Sequence, residues 1–162
     1  MLFPLPKSKP RIQSTLPSPL PFSDHYNIFS RINAHLDTLF LITHKSTFNI
    51  SVQALVLIHQ ISLTLFQSSS TPLARSIVDR YFRTLYASLY DHRLNTSSKQ
   101  AMYLNLLYRS TKTDPEVPSE RRMAMVKRFA QVLVSGGSGA TEFVVGGLYL
   151  LGEVGRSLKL ST

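Results

Sequence analysis

Residues Asn49–Gln67 read NISVQALVLIHQISLTLFQ, and the surrounding run from Ser46 to Ala74 holds no Asp, Glu, Lys or Arg. Two structures accommodate such a stretch, a membrane span or a helix buried in protein. A lipid-spanning helix needs about 20 mostly apolar residues, and polar side chains within it are costly. Here Ser51, Gln53, His59, Gln60, Ser62 and Thr64 interrupt the apolar core between Ile50 and Phe66. The stretch therefore reads as a central helix, apolar nearly all round and covered on several sides by other elements. No membrane partner is expected.

The flanking sequence supplies those elements. Asp24 to Thr43 puts Tyr26, Ile28, Phe29, Ile32, Leu36, Leu39 and Phe40 on one half of a helical wheel. Polar residues fill the other half, so this helix buries one face. After Ser68–Pro72, a third helix from about Pro72 to Tyr90 carries Ile77, Val78, Tyr81, Phe82, Leu85 and Leu89 on one side. Thr71 is its expected cap, with Pro72 at its first position. A fourth helix is expected over about Ser97–Ser110, capped by Asn95 or Thr96, and a fifth from a Ser119 cap to Val134. A last apolar helix covers about Thr141–Gly155. No period-two alternation argues for strands. The expected fold is all-α, with helical hairpins stacked as an α-solenoid of the HEAT/armadillo type, although no internal sequence repeat aligns.

The ends differ from this middle. Six of the nine prolines lie between Pro4 and Pro21, so residues 1–23 read as a Pro-rich disordered tail. The expected organisation is that tail, a helical-repeat domain over 24–156 and a short C-terminal tail over 157–162. An apolar helix close to Thr162 with no polar helix behind it gives the chain the look of the front of a longer array, with Phe143–Leu151 as a docking edge.

Composition narrows the chemistry. The chain has 162 residues, 18 Lys+Arg against 9 Asp+Glu, a net charge of +9 and no cysteine. Disulfides, thiolate metal sites and cysteine nucleophiles are excluded. The mean hydropathy of +0.01 is high enough to suggest apolar surface intended for a partner. His25, His35, His44, His59 and His92 are never three or four apart, so no single helix offers two metal ligands. No catalytic motif spacing occurs, and neither an enzyme nor a cofactor or small-molecule substrate is expected. Ser135–Thr141 resembles a phosphate loop, but Ala140 stands where the lysine is needed, so it reads as a linker. Asn49-Ile50-Ser51 and Asn95-Thr96-Ser97 match glycosylation acceptors and read more simply as helix caps.

The basic excess has direction. Between Arg75 and Arg128 there are eleven Lys or Arg and five Asp or Glu. On the fifth helix Arg121, Lys127 and Arg128 lie opposite a stripe of Met123, Val126, Phe129, Ala130 and Leu133. Arg121, Arg122, Lys127, Arg128 and, on the fourth helix, Lys99 are the candidate contacts to a nucleic-acid backbone. Tyr81, Tyr86, Tyr103 and Tyr108 are able to stack on bases, although their helical spacing also suits a core.

Five blocks carry a further signal: Phe48–Ser62 (FNISVQALVLIHQIS), Asp79–Leu94 (DRYFRTLYASLYDHRL), Ser97–Ser110 (SSKQAMYLNLLYRS), Val126–Leu133 (VKRFAQVL) and Gly146–Glu153 (GGLYLLGE). In this order they resemble the conserved domain of the CCAAT-binding factor family, which includes nucleolar-complex proteins of large-subunit ribosome assembly. The resemblance covers about Asn33–Gly155. It implies a non-catalytic α-helical scaffold of the nucleus and nucleolus. Its implied partners are a second nucleolar-complex protein, other pre-60S assembly factors and precursor rRNA. The competing implication is a DNA-binding transcriptional regulator acting at CCAAT promoters. Family members are several times longer, so the chain is expected to be a fragment or a truncated product.

Overall fold

A computed structural model describes residues 22–68, 72–112, 118–135 and 140–159. The expected disordered tail over 1–23 lies outside them except for Phe22 and Ser23, which are already helical, and Thr71 and residues 136–139 also lie outside. Two compact units divide the chain, Met1–Asn33 and Ala34–Thr162. In the first, the described part is the opening of a helix. The account below concerns the second.

The described residues form α1 (Phe22–Lys45), α2 (Phe48–Ser68), α3 (Pro72–Ser88), α4 (Gln100–Lys112), α5 (Ser119–Val134) and α6 (Thr141–Lys159), with a 3₁₀ turn at His92–Thr96. The fold is all-α, helical hairpins stacked in an α-solenoid arrangement. α2 packs on α3 and α4, α4 on α6, and α5 on α6. The even-numbered helices thus form one row. The odd-numbered helices form the other, joined by Arg80 of α3 reaching Asp37 of α1 and Arg121 of α5 reaching Asp79 of α3.

α2 is long and apolar enough over Phe48–Gln67 to cross a membrane by length and composition alone. Its Val52, Leu55 and Ile58 are buried in protein, and so are Ser51, His59 and Ser62. The Ser51 hydroxyl donates to the carbonyl of Thr47, just before the helix, and that of Ser62 to the His59 carbonyl within it. His59 stacks on Tyr81 of α3 at 5.3 Å between ring centres. Three of the six polar residues that argued against lipid are thus accommodated inside the core, and the other three, Gln53, Gln60 and Thr64, are exposed. Each fully buried Leu or Phe along this seam contributes roughly 1.5–3 kcal/mol.

Several ends differ from the sequence reading for local reasons. α3 stops at Ser88, two residues before the expected Tyr90. Asp91 takes the Arg93 backbone N–H on its carboxylate at 3.0 Å, which starts the 3₁₀ turn and buries Leu94. Asn95 and Thr96 belong to that turn rather than to the position before α4, and the Ser97 hydroxyl receives the Lys99 N–H at 3.0 Å. Pro118 occupies the cap position of α5, and Ser119 is the first helical residue. Asn49 and Ser51 lie inside α2 and cap nothing. Instead, Asn49 donates to the Ser98 hydroxyl at 3.2 Å and accepts from that of Ser97 at 2.7 Å, pinning the start of α2 beside the start of α4. α6 runs four residues past the expected Gly155, so the expected tail over 157–162 is helical as far as Lys159.

Candidate partner and nucleic-acid interface

α5 is the element from which four of the five candidate basic residues project, and it has three distinct sides. Phe129 and Leu133 are buried on the α6 side, where Phe129 meets Phe143 edge-on at 6.2 Å. Gly147 makes that approach possible, because a Cβ there would stand 2.7 Å from a Leu133 methyl. A second side faces α3. Arg121 gives a 2.6 Å hydrogen bond to Asp79, and its guanidinium lies 5.8 Å from the centre of the Phe82 ring. Arg128 lies over the rings of Tyr86 and Tyr90, at 4.9 and 2.8 Å from their centres. The third side faces solvent and carries Met123, Lys127 and Val134.

This arrangement redistributes the predicted charges. Arg121 and Arg128 do not stand opposite the packed side, since they are themselves the packing against α3. Lys127 is exposed and makes no ion pair among the described residues. Arg122 is half-buried, with its Nε enclosed and unpartnered, as is the Nε of Arg128. Lys99 is half-buried on another element, before α4. Met123, placed in the apolar stripe by its spacing, is 53% exposed. The helical wheel could assign it to a face, but not show that this face is uncovered.

The tyrosines divide in the same way. Tyr81 and Tyr103 are fully buried, and burial pushes both phenols well above the usual value. Tyr86 and Tyr90 are partly exposed beside Arg128, and Tyr108 is half-buried on α4. The Lys112 ammonium sits against the Tyr108 hydroxyl, which holds it above the usual lysine range. Exposed Arg109 shares this end of α4.

A cavity of about 550 Å³ opens beside the 3₁₀ turn, with His44, Phe48, Ser88, Asp91 and Arg93 in its wall. Arg93 spans it, giving hydrogen bonds to the Ser46 carbonyl at 2.8 Å and to Asp91 at 2.6 Å. The bond from Arg93 holds the Asp91 carboxyl below its usual range. That pair closes the α1–α2 corner onto the turn. It is a structural brace, and neither group is held near neutral titration for proton transfer. Among the described residues no three His, Asp or Glu converge as a metal-binding group. What the second unit offers chemically is surface: exposed cations, partly exposed aromatics and uncovered apolar residues.

Residues 51–161 match the family model described as the CBF/Mak21 family. The chain is 47% identical over 128 residues to "Ribosome biogenesis protein NOC1" of Chaetomium thermophilum, covering 79% of this chain and 11% of that protein. It is 40% identical over 124 residues to "CCAAT/enhancer-binding protein zeta" of Mus musculus, covering 76% of this chain and 10% of the relative. To "Protein SLOW WALKER 2" of Arabidopsis thaliana it is 32% identical over 126 residues, 78% of this chain and 11% of the relative. The chain therefore spans about a tenth of the length of these curated relatives. No solved structure matches it.

Proposed function

Because the chain belongs to the CBF/Mak21 family, we propose that it acts as a non-enzymatic scaffold module in nucleolar assembly of the large ribosomal subunit, binding assembly-factor proteins and precursor rRNA. Its partners on this reading include a second nucleolar-complex protein, and its place is the nucleus and nucleolus. The observation that carries the reading is the 47% identity, over most of this chain, to a relative named for ribosome biogenesis. The stacked helices, the net charge of +9 and the exposed Lys127 support it. Lys127 is the first contact to phosphate, with Arg122 and Lys99 beside further parts of the strand. Arg121 and Arg128 contribute by presenting α5 on α3, and the exposed edges of Tyr86 and Tyr90 are available for stacking.

The test is binding of the purified chain to a fluorescent transcript of precursor rRNA across a salt series. Phosphate contacts release counterions, so the expected affinity falls steeply with salt, at a log–log slope of about −0.7 per single-stranded phosphate contact. Binding that ignores salt, or no binding near physiological salt, counts against the RNA part of the reading. Capture of assembly factors by the tagged chain with RNase present tests the protein part.

A second reading comes from the name of the 40%-identical mouse relative, which points to CCAAT-containing DNA. It requires preference for a CCAAT duplex over scrambled duplex and over RNA in the same titration.

A further inference from the structure

The contacts joining the odd-numbered helices repeat. Asp37 and Phe40 of α1 receive Arg80, which pairs with the carboxylate and lies 4.1 Å above the ring. Asp79 and Phe82 of α3 receive Arg121 in the same way, at 2.6 Å and 5.8 Å. In both cases an acid and an apolar residue three positions later, DTLF and DRYF, form a seat for an arginine from the next odd helix. Arg80 immediately follows the acid of its own seat. Arg121 likewise follows Glu120, and Met123 stands three residues after Glu120 in the sequence ERRM. The acids Asp37, Asp79 and Glu120 are spaced by 42 and 41 residues. α5 thus carries a third seat, and both its residues are exposed, Met123 at 53%.

We propose that Glu120 and Met123 form a docking seat for a partner helix that presents an arginine, seated as Arg80 is on α1 and Arg121 on α3. This goes beyond the ribosome-assembly reading and does not depend on it. A carboxylate in the first turn of α5 also favours the helix dipole. That accounts for an acid but not for the uncovered methionine one turn further along. Further along the solvent-facing side of α5 stands another uncovered apolar residue, Val134, at 87% exposure. The occupant therefore brings an apolar flank as well as its arginine.

Two features specify the occupant further. Lys127 occupies, four residues after Met123, the place that Tyr86 holds after Phe82. The second arginine that α5 lays on Tyr86 would meet a like charge there, so the partner helix has a small or neutral residue at that point. α3 fits this description, since Ala87 follows Arg80 at the spacing at which Arg128 follows Arg121. A second copy of this chain offering its α1 does not fit, because Thr38 holds the arginine position on that helix.

The probe is a lactam-bridged peptide of residues 72–88, confirmed helical by circular dichroism and titrated by fluorescence anisotropy into the full chain. Saturable binding is expected, weakened at least tenfold by Glu120→Lys in the chain. Peptide carrying Arg80→Glu should also bind the native chain at least tenfold more weakly, and pairing it with the Glu120→Lys chain should restore affinity. The Glu120→Lys chain must still melt cooperatively, lowered only by the small cost of reversing a first-turn charge on an exposed position. No saturable binding by the helical peptide, or equal binding to the Glu120→Lys chain, overturns the proposal. Concentration-dependent dimerisation abolished by Glu120→Lys in analytical ultracentrifugation would assign the seat to a second copy and overturn it as well.

Discussion

Tyr81 of α3 and Ser110 of α4 meet hydroxyl to hydroxyl at 2.6 Å, deep in the protein. The pair has a counterpart running the other way, Tyr103 of α4 against Ser88 of α3 at 2.7 Å. As position rises along α3 from 81 to 88, its partner on α4 falls from 110 to 103. The two pairs therefore lock the helices antiparallel and in one register. They also explain why two polar-tipped tyrosines are among the most buried residues: each tip has a partner, and each ring keeps its apolar body in the core.

Replacing Tyr81 with Phe should lower stability by about 1 kcal/mol, the usual net value of one hydrogen bond. Ser110 retains its bond to the Leu106 carbonyl, so no hydroxyl is stranded. Burial raises both phenol pKa values in the folded chain. Their contribution is therefore complete below the unfolded value near 10 and is lost as the pH rises past it. Chemical denaturation between pH 8 and about 11 should show falling stability, and Tyr81→Phe with Tyr103→Phe should flatten that decline. An unchanged decline in the double variant would mean that other groups cause it.

The Asp91–Arg93 pair should show the opposite dependence. The folded carboxyl is held below its usual value of 3.8, first by the Arg93 side-chain bond. Its stabilising effect is present above 3.8 and disappears as the pH falls through the folded value. Native protein should lose stability from about pH 5 downward more steeply than Asp91→Asn, in urea melts across that range. The variant should also loosen the 3₁₀ turn, seen as faster amide exchange at Arg93 and Leu94.

Two glycines of α6 should respond in opposite directions to alanine. At Gly147 a Cβ would press on both Leu133 methyls at 2.7 and 2.8 Å and on Phe129 at 3.0 Å. Gly147→Ala should therefore cost about 1–3 kcal/mol by overpacking. At Gly152 nothing lies within 4 Å, so Gly152→Ala should gain up to about 1 kcal/mol from helix propensity. Thermal melts of the two variants, read against the native chain, test the packing of α5 on α6.

Much of this was legible in the sequence. The 3.6-residue spacing locates all six helices, because burial of one face imposes that period and loops do not. The 3₁₀ turn was hidden because it depends on a single carboxylate, Asp91, capturing a backbone N–H two residues on. The stacking of helical hairpins was expected, but the repeat that joins the odd-numbered helices was hidden for a related reason. DTLF, DRYF and ERRM share no letter at every position, so the repeat becomes visible only when Arg80 and Arg121 are seen on their acids. α5 shows the same limit. A wheel sorts its residues into apolar and charged sides, yet Arg121 and Arg128 pack through guanidinium–ring contacts, which no hydrophobic pattern marks.

That distinction separates two neighbouring cations by function. Arg128 lies against Tyr86 and Tyr90 with its Nε enclosed, whereas Lys127 points to solvent. Arg128→Ala should destabilise the chain by about 1–2 kcal/mol, through lost ring contact and lost packing of the side-chain stem. That corresponds to a fall in Tm of roughly 2–8 °C for a chain of this size. Arg128→Met, which retains a long apolar stem and removes the unpartnered N–H, should recover part of the loss. Lys127→Ala should leave the melt unchanged and lower affinity for precursor rRNA, reducing the magnitude of the salt slope by about 0.7. The contrast is diagnostic when melting and salt-dependent binding are measured on the same preparations. Loss of RNA affinity on Arg128→Ala with the Tm intact would show that guanidinium facing phosphate in solution. A Tm lowered by Lys127→Ala would show that α5 packs on its solvent side as well.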